Sequence, residues 1–227
     1  MKKKILFILG IVIIAFIVFL GYRSYLVYFK YKVVVDEYVP TKGTLGLSST
    51  EECDFHFKGL SICLPDGFTK DLDRKDNDFD VLYSNGEVDI AMSLMKNDLS
   101  SSIEDIDKHI DAKKIMKKYD ISTMTDVLHY LDKHGKDKFT IFSKLSDIQF
   151  YYVARTLVDL LVPTGDVYYL DGDVGEGYMI KQKNNYFVYL YNGNNKYVIS
   201  FYQEQLDDDY FNDDNVYKIL SSIQFRD

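Results

Sequence analysis

The chain has 227 residues, two cysteines and a net charge of −8, and its charge is distributed unevenly. Six of the 27 basic residues lie in residues 1–32, which contain no acidic residue. The remaining 21 basic residues share residues 33–227 with all 35 acidic ones, which gives that part a net charge of −14. Because nucleic-acid binding needs clustered basic residues, this composition excludes it as a function of residues 33–227.

The N-terminus contains an uncharged apolar run over residues 5–22, preceded by three lysines at residues 2–4. As a helix, its 18 residues would span roughly 27 Å, close to the hydrocarbon thickness of a bilayer. The run is longer than the apolar part of a secretory signal, and no small-x-small cleavage site or nearby cysteine follows it. We therefore predict an uncleaved transmembrane anchor over residues 1–22, and an aromatic belt at headgroup level after it. The predicted belt consists of Tyr22, Tyr25, Tyr28, Phe29 and Tyr31.

Basic residues flank the apolar run on both sides. Lys2–Lys4 precede it, and Arg23, Lys30 and Lys32 follow it within ten residues. The positive-inside rule therefore favours a cytoplasmic N-terminus only slightly. We predict a single-pass membrane protein with its C-terminal domain outside the cytoplasmic membrane.

Residues 23–52 are predicted to form a juxtamembrane segment and a flexible tether. Residues 41–52 are rich in Gly, Ser and Thr and have no apolar period, which is typical of a flexible linker. The globular domain is predicted to occupy residues 53–227.

The two cysteines, Cys53 and Cys63, flank a predicted hairpin that turns at Lys58-Gly59. A three-residue loop centred on Lys58 would place the cysteines opposite each other, whereas a two-residue loop would leave them one residue out of register. A cross-strand disulfide and a pair of half-buried thiols therefore both remain open. A disulfide would suit an oxidising compartment.

The rest of the chain predicts strands, then helices, then strands again. Asn85-Gly86 is a short-hairpin signal between two strands, and Pro65-Asp66-Gly67 is a turn signal. Ser101-x-x-Glu104 and Ser146-x-x-Gln149 are predicted capping boxes at helix starts. This order indicates an α+β fold with a mostly antiparallel sheet, helices packed on it and one transmembrane helix before it. The predicted strands cover 79–83, 88–94, 167–170, 177–182, 186–191, 196–202 and 223–225, and the predicted helices 101–119, 123–134, 146–161 and 216–222.

Two motifs resemble PsbP-like domains and related bacterial lipoproteins. One is the strand ending in a Pro-x-Gly-aromatic turn at residues 59–68, and the other is the closing strand, helix and strand at residues 197–201 and 219–225. The resemblance would cover residues 53–226. It implies an antiparallel sheet flanked by helices and a non-enzymatic binding or assembly role, and it supplies no catalytic residue.

The sequence predicts no catalytic residue, no cofactor site and no firm metal site. Residues 171–182 fail as a calcium loop, because Glu176 stands where the loop needs Gly and Gln182 where it needs Glu. Weak calcium candidates are Asp207, Asp209 and Asp213 in a later acidic segment. The histidines are scattered, and no nucleophile, zinc or phosphate-loop motif accompanies them.

Three functions remain open from the sequence. The first is a membrane-anchored extracytoplasmic binding protein that engages a protein or envelope partner on its sheet. The second is an immunity protein that neutralises a secreted toxin, because acidic charge steers association with a basic protein. The third is an envelope hydrolase whose catalytic groups assemble only in space.

Overall fold

A computed structural model describes residues 2–31, 40–47, 53–72, 79–135, 139–172, 175–183, 185–203 and 210–225. Within these residues the fold is α+β, with a mostly antiparallel eight-stranded sheet, a three-stranded sheet and an N-terminal apolar helix. The predicted fold class is confirmed. The helices in chain order are α1 Lys2–Ser24, α2 Leu99–Ile106, α3 Ala112–Tyr119, α4 Met124–His134, α5 Leu145–Leu161 and α6 Asp213–Ser221. The strands are β1 Gly43–Leu47, β2 Phe55–Phe57, β3 Leu60–Ile62, β4 Thr69–Lys70, β5 Val81–Ser84, β6 Val88–Lys96, β7 Asp166–Gly172, β8 Glu176–Gln182, β9 Asn185–Asn192, β10 Asn195–Gln203 and β11 Gln224–Phe225.

The chain divides into two compact units. Unit 1 consists of Met1–Val39, Ser100–Ile121 and Val127–Leu160. Unit 2 consists of Pro40–Leu99, Ser122–Asp126 and Leu161–Asp227. Residues 23–31, which follow the apolar run, thus belong to unit 1.

Unit 1 is helical. α1 continues into a π-helical segment, Tyr25–Lys30, which ends where the Tyr31 amide donates to the Leu26 carbonyl. The side chains of Leu26, Val27 and Tyr31 form a buried cluster with Ile148 of α5. Tyr31 is only 2 % exposed, so its predicted place in an aromatic belt is wrong.

The single helix predicted over residues 101–119 is two helices. α2 ends at Ile106, and α3 begins after Asp111, whose carboxylate caps it by accepting from the Lys114 amide at 3.0 Å. The predicted capping box at Ser101 is wrong, because α2 begins two residues earlier at Leu99. The box at Ser146 is likewise wrong, because α5 begins at Leu145.

Unit 2 contains both sheets. The large sheet has the strand order β1-β7-β8-β9-β10-β6-β5-β4, and every neighbouring pair is antiparallel except β1 and β7. The predicted Asn85-Gly86 turn joins β5 to β6, with φ of 91° at Gly86, a backbone conformation that favours glycine. The small sheet has the order β11-β3-β2.

One face of the large sheet builds the core of unit 2. Alternate residues of the central strands point into this core, as period-2 patterning requires. They pack with α6, which contributes Val216, Ile219 and Leu220. The strand residues include Val88, Ile90, Met92, Tyr186, Val188, Leu190, Tyr197, Ile199 and Phe201. Burying each large apolar side chain contributes about 1.5–3 kcal/mol, so this face supplies much of the free energy of unfolding.

The predicted flexible tether is wrong for residues 43–47. They form β1, which pairs in parallel with β7 from Gly43 opposite Tyr168 to Leu47 opposite Gly172. Leu47 is 1 % exposed and belongs to the core. The strands approach closely at this end, since a Cβ atom on Gly172 would lie 1.9 Å from the Leu47 carbonyl oxygen. Residues 48–52 of the predicted tether lie outside the described residues.

Candidate functional site

The N-terminal helix is long and apolar enough to cross a membrane. The helical stretch Phe7–Lys30 has 24 residues and a mean hydropathy of 2.3 over its most apolar window, of which only 6 % is buried by protein. The large apolar side chains of residues 7–19 are between 50 % exposed, at Phe19, and 71 % exposed, at Phe7. A helix that is apolar all round and exposed is typical of a membrane span, so the helix is compatible with membrane association.

Arg23, the first charged residue after the apolar run, is buried against other residues of unit 1. Its side chain is 8 % exposed, and its Nε donates to the Ile141 carbonyl oxygen at 2.8 Å. Its Nη2 donates to the Ser143 carbonyl oxygen. Further along, Lys30 Nζ lies 3.5 Å from a carboxylate oxygen of Asp107. Polar contacts therefore join the end of the helical stretch to the rest of unit 1.

Cys53 and Cys63 form a disulfide that closes a loop with a sequence separation of 10. The hairpin inside it has a two-residue turn, since Phe57 pairs with Leu60, and Lys58-Gly59 lies between them. The bond forms despite the one-residue offset because Cys53 and Cys63 lie just beyond the paired strands β2 and β3, where the ladder does not fix their positions.

The disulfide lies beside the end of α6. The Cys63 amide donates to Ser222 Oγ at 2.9 Å, and that hydroxyl donates to the Ile219 carbonyl oxygen at 2.6 Å. A cavity of about 530 Å³ opens here. Its lining is mixed, with Cys63, Leu64, Pro65, Asp66, Tyr210, Asn215, Lys218, Ile219 and Ser222.

Of the three calcium candidates, Asp213 lies among the described residues, and Asp207 and Asp209 lie outside them. The Asp213 carboxylate accepts from Lys181 Nζ at 2.6 Å and from the Tyr186 hydroxyl at 2.7 Å. The Lys181 and Tyr186 hydrogen bonds lower the pKa of Asp213. Its charge is thus already compensated by a lysine. Among the described residues, no group of three or more His, Cys, Asp or Glu side chains is placed to hold a metal ion.

The second face of the large sheet carries a half-exposed aromatic surface. It comprises Met95 of β6, Phe187 and Tyr189 of β9, and Lys196, Val198 and Tyr202 of β10, and we call it the aromatic face. Register places these residues together, because Val198 is opposite Tyr189 on one side, and Lys196 is opposite Met95 on the other. The rings of Phe187 and Tyr202 meet edge to face at 5.9 Å.

The same side of the sheet continues into a buried tyrosine group. Tyr178 stacks on Tyr189 with ring centres 4.6 Å apart and hydrogen-bonds to Tyr191. Burial raises the pKa of Tyr178 well above its ordinary value, and burial likewise raises the pKa of Tyr191. Tyr191 also hydrogen-bonds to the backbone of Met124. Buried phenols therefore adjoin the aromatic face on the same side of the sheet, and Tyr189 packs against one of them.

Unit 1 contains a polar cluster that resembles catalytic machinery. Lys118 Nζ donates to Ser146 Oγ, to the Tyr119 hydroxyl and to Asp147 Oδ1, each at 2.7 Å. Burial opposes the charge on Lys118, but the hydrogen bonds to Asp147 and Tyr119 outweigh it and raise its pKa. Lys118 donates to Ser146 Oγ and so does not act as its base, whereas Asp147 Oδ1 accepts from that hydroxyl at 3.3 Å. The cluster therefore links α3 to α5 through a lysine–carboxylate pair and its hydrogen bonds.

The histidines make local contacts. His56 Nδ1 lies 3.0 Å from Ser61 Oγ across the β2–β3 hairpin, and the ring of His134 lies 4.6 Å from that of Tyr130. The amide of His109 donates to Asp107 Oδ1 at 3.0 Å. These three lie in different parts of the fold, as their scattered positions in the sequence indicate.

The sequence does not predict two parts of the candidate sites, the contacts of Arg23 and the aromatic face. Arg23 was considered only for its charge, because a contact with residues 118 and 120 positions away leaves no local signal. The aromatic face was missed because strand alternation predicts two faces but not which strands are neighbours. The sequence predicts a strand over residues 186–191, and alternation along that strand is the signal that could have identified its second face.

The fold and the N-terminal helix together define this chain as an α+β protein whose N-terminal helix is long and apolar enough to span a membrane. No family model, no curated protein and no solved structure matches this chain. The similarity to PsbP-like domains therefore stays a prediction based on two short motifs.

Proposed function

We propose that this chain is a membrane-anchored, non-enzymatic binding protein that engages a protein partner through the aromatic face of unit 2. The observation that carries the proposal is the edge-to-face pair Phe187 and Tyr202, presented on central strands of a sheet. Rigid aromatic side chains are enriched at protein interfaces because they bury much area at a small loss of conformational entropy.

The partner class follows from charge. Residues 33–227 carry a net charge of −14, the balance of 21 basic and 35 acidic residues, so association with a basic protein is favoured electrostatically. Asp89 lies opposite Tyr202 on the same side of the sheet and adds acidic charge at its edge. The disulfide supports a location outside the cytoplasmic membrane, because disulfides persist in oxidising compartments.

Site-specific photocrosslinking tests this proposal. A benzophenone amino acid replaces Tyr202 in one strain and Tyr217 of α6 in another, since both tyrosines are 41 % exposed. We expect a discrete crosslinked protein from position 202 that is absent from position 217, and whose yield falls as salt increases. Equal crosslinking from both positions, or none from position 202, would overturn the proposal.

A narrower form of the proposal is an immunity protein, which the acidic charge also favours if the partner is a basic secreted toxin. The chain would then protect cells that produce it against that toxin. Protection should be lost in Phe187→Ser together with Tyr202→Ser, and kept in Tyr217→Ser. Protection that survives the double substitution would rule out neutralisation through the aromatic face.

A further inference from the structure

We infer that loop 140–143 is a second membrane contact, which inserts Phe142 into the interfacial layer of the bilayer beside the N-terminal helix. The inference rests on the proposed membrane anchor and adds to it a surface of unit 1 that lies on lipid. The partner is a phospholipid bilayer.

The loop presents Phe142 on a fixed turn. Phe142 is 74 % exposed, and the turn beneath it is closed by a hydrogen bond of 3.0 Å from the Ser143 amide to the Thr140 carbonyl oxygen. The Thr140 amide donates to Ser143 Oγ at 2.9 Å, and the Phe142 amide to Thr140 Oγ1 at 3.3 Å. An exposed aromatic residue on an ordered turn is a preformed apolar contact, whose insertion involves little additional ordering.

Arg23 fixes the position of this turn relative to the apolar helix. Its guanidinium binds the carbonyl groups of Ile141 and Ser143, the two residues that flank Phe142. Arg23 follows directly after the uncharged run, so it lies where a spanning helix leaves the hydrocarbon. Side chains of an α-helix lean toward its N-terminus, and here that direction is toward the membrane. The turn is therefore held at the level of the interface.

The contacts of α5 show which end of unit 1 is near the membrane. Three contacts between the N-terminal segment and the later chain occur in the same order along both, so the two segments run in the same direction. In order they are the hydrogen bond from Arg23 to Ile141, the buried cluster in which Leu26 and Val27 join Ile148, and the hydrogen bond between Tyr31 and Gln149. α5 therefore leads away from the bilayer, and loop 140–143 lies at the near end.

The surroundings of the turn suit the interfacial layer. Tyr22, Tyr25 and Phe29 on the helical stretch are 58 %, 55 % and 72 % exposed, and Lys144 next to the turn is also exposed. Aromatic rings and lysines are enriched where a membrane protein meets the headgroups. Phe142 extends this group from the helix to the body of unit 1.

The absence of tryptophan from the chain makes a direct test possible. Phe142→Trp introduces a single tryptophan at an exposed position, whose emission can be excited selectively over that of the tyrosines. The full chain is reconstituted in vesicles with or without dibrominated phosphatidylcholine, a lipid that quenches tryptophan on contact. Two matched variants accompany it. Phe16→Trp lies in the apolar helix and is 55 % exposed, and Leu160→Trp lies near the far end of α5 and is 69 % exposed.

We expect strong quenching and a blue-shifted emission for Phe142→Trp and Phe16→Trp, and less than one tenth of that quenching for Leu160→Trp. Quenching at position 16 without quenching at position 142 would overturn this inference and leave the anchor intact. A blue shift at position 142 without quenching would indicate a protein contact and would also overturn it. Equal quenching at positions 142 and 160 would refute the orientation of α5. No quenching at position 16 would refute the membrane anchor itself.

Discussion

Gln149 donates a hydrogen bond of 3.0 Å to the hydroxyl oxygen of Tyr31, although 118 residues separate the two in the chain. The Tyr31 ring also lies 5.3 Å from the ring of Tyr152 on the same helix. A domain on a flexible tether would move independently of its anchor. Here the segment that leaves the apolar helix is part of the packing of unit 1, so anchor and unit 1 are expected to move together.

The first prediction concerns this contact. Tyr31→Phe leaves the partly buried Gln149 amide without this acceptor and should lower the free energy of unfolding by about 1 kcal/mol. Tyr31→Ala also removes a ring that is 2 % exposed and should lower it by about 3–5 kcal/mol. Urea denaturation of the full chain in detergent micelles, followed by the near-ultraviolet circular dichroism of the tyrosines, measures both. Tyr28→Phe is the control, since Tyr28 is 49 % exposed. Equal stability of Tyr31→Phe and the parent chain would contradict the contact.

The second prediction uses two glycines of the large sheet as a matched pair. A Cβ atom at Gly177 would lie 2.2 Å from the Tyr189 carbonyl oxygen, whereas one at Gly46 would meet nothing within 4 Å. Gly177→Ala must therefore displace the backbone of β9 and should lower the free energy of unfolding by about 2 kcal/mol or more. Gly46→Ala should leave it unchanged or raise it by up to about 1 kcal/mol. Urea denaturation measures the free energy of unfolding of both variants. Equal effects of Gly177→Ala and Gly46→Ala would show that β8 and β9 do not approach each other this closely.

The third prediction concerns the Cys53–Cys63 disulfide. Closing a loop with a sequence separation of 10 restricts the unfolded chain, which should stabilise the folded state by about 2–3 kcal/mol. Cys53→Ser with Cys63→Ser should lower the urea midpoint accordingly, and a reductant should lower the midpoint of the parent chain to a similar value. Because the double variant has no cysteine left, the reductant should not affect it. A parent chain that does not respond to reductant would argue against the bond or against its contribution.

The fourth prediction is a loss of stability in acid. The hydrogen bonds from Lys181 and Tyr186 lower the folded-state pKa of Asp213 below its ordinary value of 3.8. A carboxyl group with a lowered pKa stabilises the fold above its unfolded-state pKa, and this contribution disappears as the pH falls through the folded-state pKa. Stability should therefore decline below about pH 4. Asp213→Asn should remove part of that decline, and Asp214→Asn is the neighbouring control. An identical pH dependence in Asp213→Asn and the parent chain would contradict this assignment.

Local patterns in the sequence were enough to predict most strands. Asn85-Gly86 specified a hairpin because the turn chemistry is contained in two residues. The strands between Asp166 and Gln203 were predicted as short runs separated by turn residues. β1 was missed because its glycines are also typical of a linker, and its pairing with β7 depends on residues more than 100 positions away. Such a parallel pair leaves no signal in either strand alone.

The candidate surfaces were less predictable for the same physical reason. No local pattern marks Phe142 or Arg23 in the sequence, because the contact between their segments joins residues that are 118 positions apart. The aromatic face depends on β10 lying between β9 and β6, an order that no single strand encodes. Composition did indicate acidic charge and abundant tyrosine, and these bear on the partner class, but they do not place any residue on a surface.

The last prediction is a loss of stability in alkali that depends on Tyr178. Burial raises the folded-state pKa of this phenol well above its ordinary value of 10.0, so the fold favours the neutral form. Its contribution to stability is complete below the unfolded-state pKa and is lost as the pH rises above about 10, where the unfolded chain releases the proton and the folded chain keeps it. The phenylalanine in Tyr178→Phe cannot ionise, so this variant should show a flatter decline in stability above pH 10. Its stability at pH 7 should be lower by about 1 kcal/mol, because the hydrogen bond to Tyr191 is lost.

A second measurement is absorbance titration at alkaline pH. Tyr178→Phe should have one phenol fewer among those that ionise only when the chain unfolds. Tyr217 of α6 is exposed, but its hydroxyl donates to the Gly46 carbonyl oxygen at 2.6 Å, so Tyr217→Phe should lower stability at every pH by a similar amount and leave the slope above pH 10 unchanged. A Tyr178→Phe chain that declines as steeply as the parent would mean that another buried phenol, such as Tyr191, carries the alkaline transition.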